Sequence, residues 1–424
     1  MKPPRQPQQH RREQTFLVDI ESIGYGGVGL GKRGRKTVSD PITITGESVH
    51  ARTLPEDDNL ITAEGIRLED ASADRVYPAC AAFGKAGCIR CSWQHIAYRA
   101  QTLLKQDMLA ETLERAGLRE PEVLPTVSAV SEWGYLQNVL FTLDAHGRLC
   151  LTSREPRQVV QISDCALWHP SIVDLYEALD LDLDPALISR VRLATGDQGS
   201  QMITLSLKTD SAPELETDLN ASVNVILSDN EPMNLIGDSH LRCTIGGRTF
   251  RVTAGSFFRP NLSMIAALVD AVLELLDPAP SDTLLELYAG VGVFSAFAAA
   301  RVARVTLIES FPPAVTDADL NLSAFDHIDV IEGGCADVMA ALIEDGERYT
   351  CAIADAPSPG MGDPVVNALA GLNVERLILV SDDPQALAKD ARRLENVGFR
   401  LQAARAVDLS PQTHFLDSVA LFVR

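Results

Sequence analysis

From Pro260 to the end of the chain, helix-period and strand-length segments alternate without interruption. PNLSMIAALVDAVLELLD spaces its apolar residues as a helix does; TLLELYAG, RVTLIES, IDVIEGG, YTCAIADAP and ERLILVSD are short apolar runs that end in turn or acidic residues, and SVALFVR is a last such run at the end of the chain. Strands that are apolar on both faces need cover on both faces, and intervening helices supply it in a doubly wound parallel sheet. Ligands of such sheets bind at the carboxyl ends of the strands, where the strand order reverses. The loops after these strands are therefore where function is expected.

The first of those loops is Glu286-Leu287-Tyr288-Ala289-Gly290-Val291-Gly292, between a strand and a helix, and the next strand ends in Glu309. Glycines let a ligand approach the backbone amides, and an acid at the end of the following strand can hold ribose hydroxyls. The third glycine of a dinucleotide fingerprint is missing, which points to S-adenosylmethionine over NAD. Asp337, Asp355 and Asp382 follow the third, fourth and fifth strands and converge on the same sheet edge. Asp382 lies in Ser381-Asp382-Asp383-Pro384, which also has the makings of a helix start, with capping oxygens and a proline in the first turn.

The upstream sequence has a different rhythm. Residues 15–75 alternate β-prone runs (FLVDIESI, TITGESVHARTL, ITAEGIRLED) with glycine turns, as a small β-barrel does. Residues 76–258 combine a cysteine-rich loop, a helix within SWQHIAYRAQTLLKQDMLAETLERAG and β-type runs that suggest an antiparallel sheet. Residues 259–424 form the doubly wound domain. The expected fold is thus α/β and multidomain, preceded by a basic flexible tail at residues 1–14. No charge-free run reaches the length of a membrane span, so a cytoplasmic protein without membrane contact is expected. The formal net charge of −21 opposes nucleic-acid binding, which rests on clustered Lys and Arg.

Eight cysteines without a secretory leader do not form a disulfide framework. Cys80, Cys88 and Cys91 stand as C-x7-C-x2-C in a glycine-containing loop, a spacing that lets two sulfurs reach one metal centre. A fourth thiolate completes either a zinc site or an iron–sulfur set, and spacing alone does not choose between them. Cys243, Cys335 and Cys351, in or beside strand-like runs, read as core residues.

Taken together, these segments resemble the iron–sulfur-containing RNA (uracil-5-)-methyltransferases over nearly the whole chain. IESIGYGGVGLGKRGRK is similar to the family's OB-like TRAM barrel, CAAFGKAGCIRCSWQH to its cluster loop, QISDCALWHPSI to the segment of the fourth ligand and ELYAGVGVF to its cofactor loop. The resemblance implies a [4Fe-4S] cluster on Cys80, Cys88, Cys91 and Cys165. It also implies S-adenosylmethionine contacts from Tyr288, Gly290, Gly292, Glu309, Asp337 and Asp355, with Arg259 at the place of a cofactor-contacting glutamine. The implied partner is rRNA or tRNA, bound by a monomer.

The reaction the family performs needs a thiolate that adds to C6 of uracil, so that C5 becomes nucleophilic enough to take the methyl group. A base then removes the C5 proton. By the resemblance, Asp382 stands at the nucleophile's position and Asp417 at that of the base, whose usual His-x-Glu is Phe415-Leu416-Asp417 here. The family's Asp-Pro-Pro-Arg is Asp355-Ala356-Pro357-Ser358, and EWGYLQN has Leu136 and Asn138 where basic residues are usual. Two functions follow as expectations: an RNA methyltransferase with altered chemistry, or a non-catalytic relative that binds cofactor, cluster and RNA or protein.

Overall fold

The computed structural model describes residues 15–54, 60–84, 87–88, 90–118, 121–153, 158–179, 183–212 and 218–424. The basic stretch 1–14 lies outside the described residues. Among those described, no helix is long and apolar enough to cross a membrane.

The first layer is a closed five-stranded barrel in the order Thr15–Ile23, Gly29–Arg33, Lys36–Asp40, Leu60–Asp70, Ser48–Thr53. Its strands alternate buried and exposed positions, and Val18, Ile20, Val38, Val49, Ala51, Ile61 and Ala63 fill the interior. The loop after the first strand leans on the far end of the chain. Gly27 has a φ of +71°, and a Cβ there would lie 2.3 Å from His414 Cβ, so only glycine permits the approach.

The middle of the chain forms a seven-stranded sheet. It is not wholly antiparallel as expected, because Gln201–Leu207 pairs in parallel with Ser222–Ile226. The connection between them is long enough to return the chain to its starting end, where a hairpin would have reversed it.

The doubly wound sheet is present in the order Ile328–Glu332, Arg304–Glu309, Thr283–Leu287, Cys351–Asp355, Arg376–Ser381, Asp417–Val423, Arg400–Val407. The strands up to Arg376–Ser381 are parallel, and Asp417–Val423 inserts antiparallel. The order reverses between Thr283–Leu287 and Cys351–Asp355, as the switch-point rule requires of a ligand crevice.

An eighth strand corrects the boundaries drawn from rhythm alone. Glu122–Val127, assigned to the middle domain, pairs in parallel with Arg400–Val407 at the edge of this sheet. Helix Tyr98–Arg115 packs Ala100, Leu109 and Leu113 into one core with Leu369, Leu387 and Leu394. The hairpin His240–Ile245/Arg248–Thr253 buries Leu241, Phe250 and Val252 in a core shared with Leu268 and Val272 of helix Leu262–Leu276. Burial of these apolar faces, rather than order along the chain, decides which layer each segment joins.

Candidate active site

The glycine loop leaves the first strand of the switch point with Tyr288 at a φ of +57°, Gly290 at +56° and Gly292 at +81°. The left-handed tyrosine marks local strain held in place by its surroundings. Glu309, at the end of the adjacent strand, accepts from Gly290 N at 2.8 Å, so the acid and the loop meet as the sequence suggested. Beneath them Glu286 is fully buried and accepts from Ser295 N at 2.8 Å. Burial pushes its carboxyl up to about 8 against the Ser295 hydrogen bonds, with the charges of Asp355 and Glu309 adding to the rise. Asp337 opens helix Cys335–Glu344 and is exposed.

Arg259 dominates the centre of this edge. Its Nη1 donates to Asp355 Oδ2 at 2.6 Å and its Nη2 to Asp355 Oδ1 at 2.8 Å, a two-pronged pair, while Nε donates to Asp417 Oδ1 at 3.0 Å. The arginine and both carboxylates are nearly buried, at 11%, 16% and 12% side-chain exposure. Burial works against the guanidinium charge, but the two carboxylates outweigh it and hold Arg259 ionised. For Asp417, burial raises the carboxyl, Arg259 pulls it back and the charges of Asp355 and Asp382 raise it again, with a net rise. Asn261, two residues after Arg259, donates from Nδ2 to Leu409 O at 2.9 Å and anchors the segment.

Asp382 lies apart from this clamp. Asp383, not Asp382, caps helix Pro384–Asn396 by accepting from Gln385 N at 2.9 Å, and Ser381 Oγ braces the turn by accepting from Asp383 N. Asp382 is left exposed, with Ser358 Oγ donating to it at 3.2 Å. It faces a cavity of ≈630 Å³ whose walls come from the barrel loop at Gly24–Gly26, helix Tyr98–Arg115, helix Pro384–Asn396 and the loop at His414–Leu416. Arg115, Lys389 and Arg392 line it, as do the exposed rings of Tyr25 and Phe415. Aromatic faces next to basic side chains are what unstacked bases and their phosphates bind.

The tRNA (uracil-5-)-methyltransferase family model matches residues 238–424. An uncharacterized RNA methyltransferase of Streptomyces avermitilis is 30% identical over 429 residues, covering 96% of this chain and 98% of the relative. The chain belongs to the RNA (uracil-5-)-methyltransferase family. A second relative, from Streptomyces coelicolor and also called an uncharacterized RNA methyltransferase, is 30% identical over 96% of this chain and 92% of its own length. The crystal structure of the Pyrococcus abyssi tRNA (uracil-54, C5)-methyltransferase, solved with S-adenosyl-L-homocysteine, shares the fold, with a TM-score of 0.71, 19% identity and coverage of 96% of this chain and 99% of that one.

In this family member the four expected ligand cysteines occupy one region. Cys88, Cys91 and Cys165 are buried in the core of the middle sheet, and Cys80 is partly buried. Burial, and then the nearby thiols, push Cys91 up to about 12, while Cys165 rises to about 11 through burial with Cys88 and Cys80 contributing. Among the described residues, no group of three or more His, Cys, Asp or Glu side chains is placed to hold a single metal ion.

Several residues of the site carried no recognisable motif. Ser92, next to Cys91, pairs with His414 Nδ1 at 2.9 Å, and Trp93 Nε1 donates to Gly27 O at 2.9 Å, so the cysteine loop is bonded to two walls of the cavity. Lys105, fully buried, donates to Asp408 Oδ1 at 2.5 Å and to Ser410 O at 3.0 Å, which fixes the start of the His414 loop. Arg192 donates to Asn138 Oδ1 at 2.8 Å, so a basic group reaches the EWGYLQN segment from the neighbouring strand. A charged residue within a helical or β-prone run was the only available signal for Lys105 and Arg192, and their partners are far away in sequence.

Proposed function

We propose that this family member binds an RNA nucleotide in the ≈630 Å³ cavity and an adenosyl ligand at the glycine loop, and that it does not methylate uracil through the family's covalent route. The observation that carries this reading is Asp382, an exposed carboxylate that faces the cavity where a thiolate would have to attack C6. A carboxylate is a poor nucleophile toward that carbon and does not stabilise the adduct. Asp417, at the position of the base, is held by Arg259 and is not free to take the C5 proton. The adenosyl reading rests on the meeting of Glu309 with the glycine loop, with Tyr288 and Asp355 beside it and Asp337 further out.

The same reading includes a [4Fe-4S] cluster on Cys80, Cys88, Cys91 and Cys165, in the region after the TRAM-like barrel. The donor set fits the group, since Cys88, Cys91 and Cys165 share one largely apolar region and the charges of Cys165, Cys88 and Cys80 all reach Cys91. A bound cluster would supply a one-electron centre and a cross-link between the loop and Cys165. The chain's own Ser92 and Trp93 would then join that cross-link to the cavity walls. Protein purified without oxygen is expected to show iron–sulfur absorbance that a Cys88→Ala variant lacks, and colourless, zinc-loaded protein would refute the cluster.

The function is tested with tritiated S-adenosylmethionine and total RNA. Wild-type protein is expected to form no 5-methyluridine, and an Asp382→Cys/Arg259→Gln variant to form it. Robust formation by the wild type would overturn the proposal.

A further inference from the structure

The ≈630 Å³ cavity has room for a nucleotide, and its exposed rings and basic side chains suit any stacked base and its phosphates. Its polar groups are more selective. Of the three carboxylates in its wall, Glu111 is paired with Arg115 at 2.8 Å and Asp383 is turned to the cap of helix Pro384–Asn396. Asp382 has no such task. Among the described residues it accepts one hydrogen bond, from Ser358 Oγ to Oδ1 at 3.2 Å, and no Lys or Arg pairs with it. Oδ2 and a second lone pair of Oδ1 remain to accept from a ligand.

His414 supplies a donor. Ser92 Oγ accepts from His414 N at 2.9 Å and lies 2.9 Å from His414 Nδ1, so its own hydrogen is directed to Nδ1. That bond holds the ring in the tautomer whose proton is on Nε2. Burial, with Lys105 adding to it, lowers the imidazole to about 4 and keeps it neutral. His414 belongs to the cavity wall, and its Nε2–H has no partner among the described residues.

A carboxylate only accepts, so it is best met by two donors side by side. Uracil, cytosine and adenine each carry a single donor group, flanked by an acceptor nitrogen or oxygen. When one carboxylate oxygen meets that donor, the other is brought against lone pairs. Guanine alone has two adjacent donors, N1–H and N2–H2, on the edge that is read once a base is unpaired, and its acceptor O6 stands next to them.

We propose that the cavity selects an unpaired guanine, whose N1–H and N2–H2 donate to Asp382 and whose O6 accepts from His414 Nε2. This rests on the reading of the cavity as a nucleotide site and names the base it takes. Asp382 is thus a specificity-determining residue that admits guanine and turns uracil away, because the carboxylate would face O2 or O4.

Fluorescence anisotropy on the full-length protein tests this with labelled heptauridylates whose central base is uracil, cytosine, adenine, guanine, hypoxanthine or 2-aminopurine. Wild type is expected to bind the guanine oligonucleotide about tenfold or more tightly than those with uracil, cytosine and adenine, as one good bidentate contact allows. Hypoxanthine lacks only the 2-amino group, and 2-aminopurine lacks O6 and N1–H; each is expected to lose about fivefold or more. Asp382 is exposed, so Asp382→Asn is expected to fold normally and to bring guanine and uracil within about threefold of each other. Wild type that prefers another base, or a guanine preference unchanged by Asp382→Asn or by loss of the 2-amino group, overturns the proposal. Equal binding of all six refutes the guanine assignment and leaves the nucleotide site standing. Binding of none at millimolar concentration refutes the nucleotide site itself.

Discussion

The two sides of the sheet edge differ in how they handle charge. On the glycine-loop side, the proposed donor side, Arg259 is locked to Asp355 and Asp417, and the space around it is divided into cavities of ≈40 Å³. On the other, the proposed acceptor side, Asp382, Lys389 and Arg392 are exposed around an open cavity of ≈630 Å³. On the proposed reading, the opening for substrate is kept while internal ion pairs fill the place where methyl transfer would occur. On that reading, an aspartate at position 382 would not by itself require a closed donor side, so the clamp is a separate feature.

Restoring chemistry should break the contrast most visibly. In an assay with RNA containing 5-fluorouridine, which traps the covalent intermediate, Asp382→Cys/Arg259→Gln is expected to form a denaturation-resistant adduct and wild type none. Adduct formation by wild type would show that the acceptor side holds another nucleophile. The next largest effect is on stability. Arg259→Ala leaves two nearly buried carboxylates unpaired and is expected to cost about 3–5 kcal/mol in urea unfolding, whereas a loss under about 1 kcal/mol would mean that the clamp is no more than a surface pair.

Acid should weaken the wall of the acceptor cavity. Burial, with Lys105 adding to it, lowers His414 to about 4. The unfolded chain therefore binds the proton first, near pH 6.5, and the stability contributed by neutral His414 is present above that pH. It is lost as pH falls toward about 4, with a magnitude on the order of 2 kcal/mol after allowance for partial exposure. A His414→Gln variant should show a shallower decline between pH 6.5 and 4, and an unchanged slope would assign the decline elsewhere. The smallest effect concerns the rim. Lys389→Ala and Arg392→Ala are each expected to weaken RNA binding by about 1 kcal/mol and to reduce the salt dependence by about one unit of slope, without altering binding of adenosyl ligands.

The C-terminal sheet was legible in the sequence because its period switches repeatedly between helix and strand, and the glycine loop because its residues are constrained by backbone shape. The helix start at Ser381–Pro384 also followed local rules, although only the structure singles out Asp383 as the cap. What sequence could not convey was pairing at a distance. Nothing in AGSFFRPN announces that Arg259 meets Asp355 and Asp417, 96 and 158 residues away. The edge strand Glu122–Val127 was missed for the same reason, since its partner lies in Arg400–Val407 and its own apolar pattern suits either sheet.

That edge strand has a consequence for how the protein is made. Glu122–Val127 leaves the ribosome long before Arg400–Val407 exists, and until then its unpaired backbone and the apolar face of helix Tyr98–Arg115 have no cover. Contacts of such separation form late and slowly. The newborn chain therefore carries this edge strand and helix face uncovered until its last strands arrive, and that interval is the one most open to misassembly.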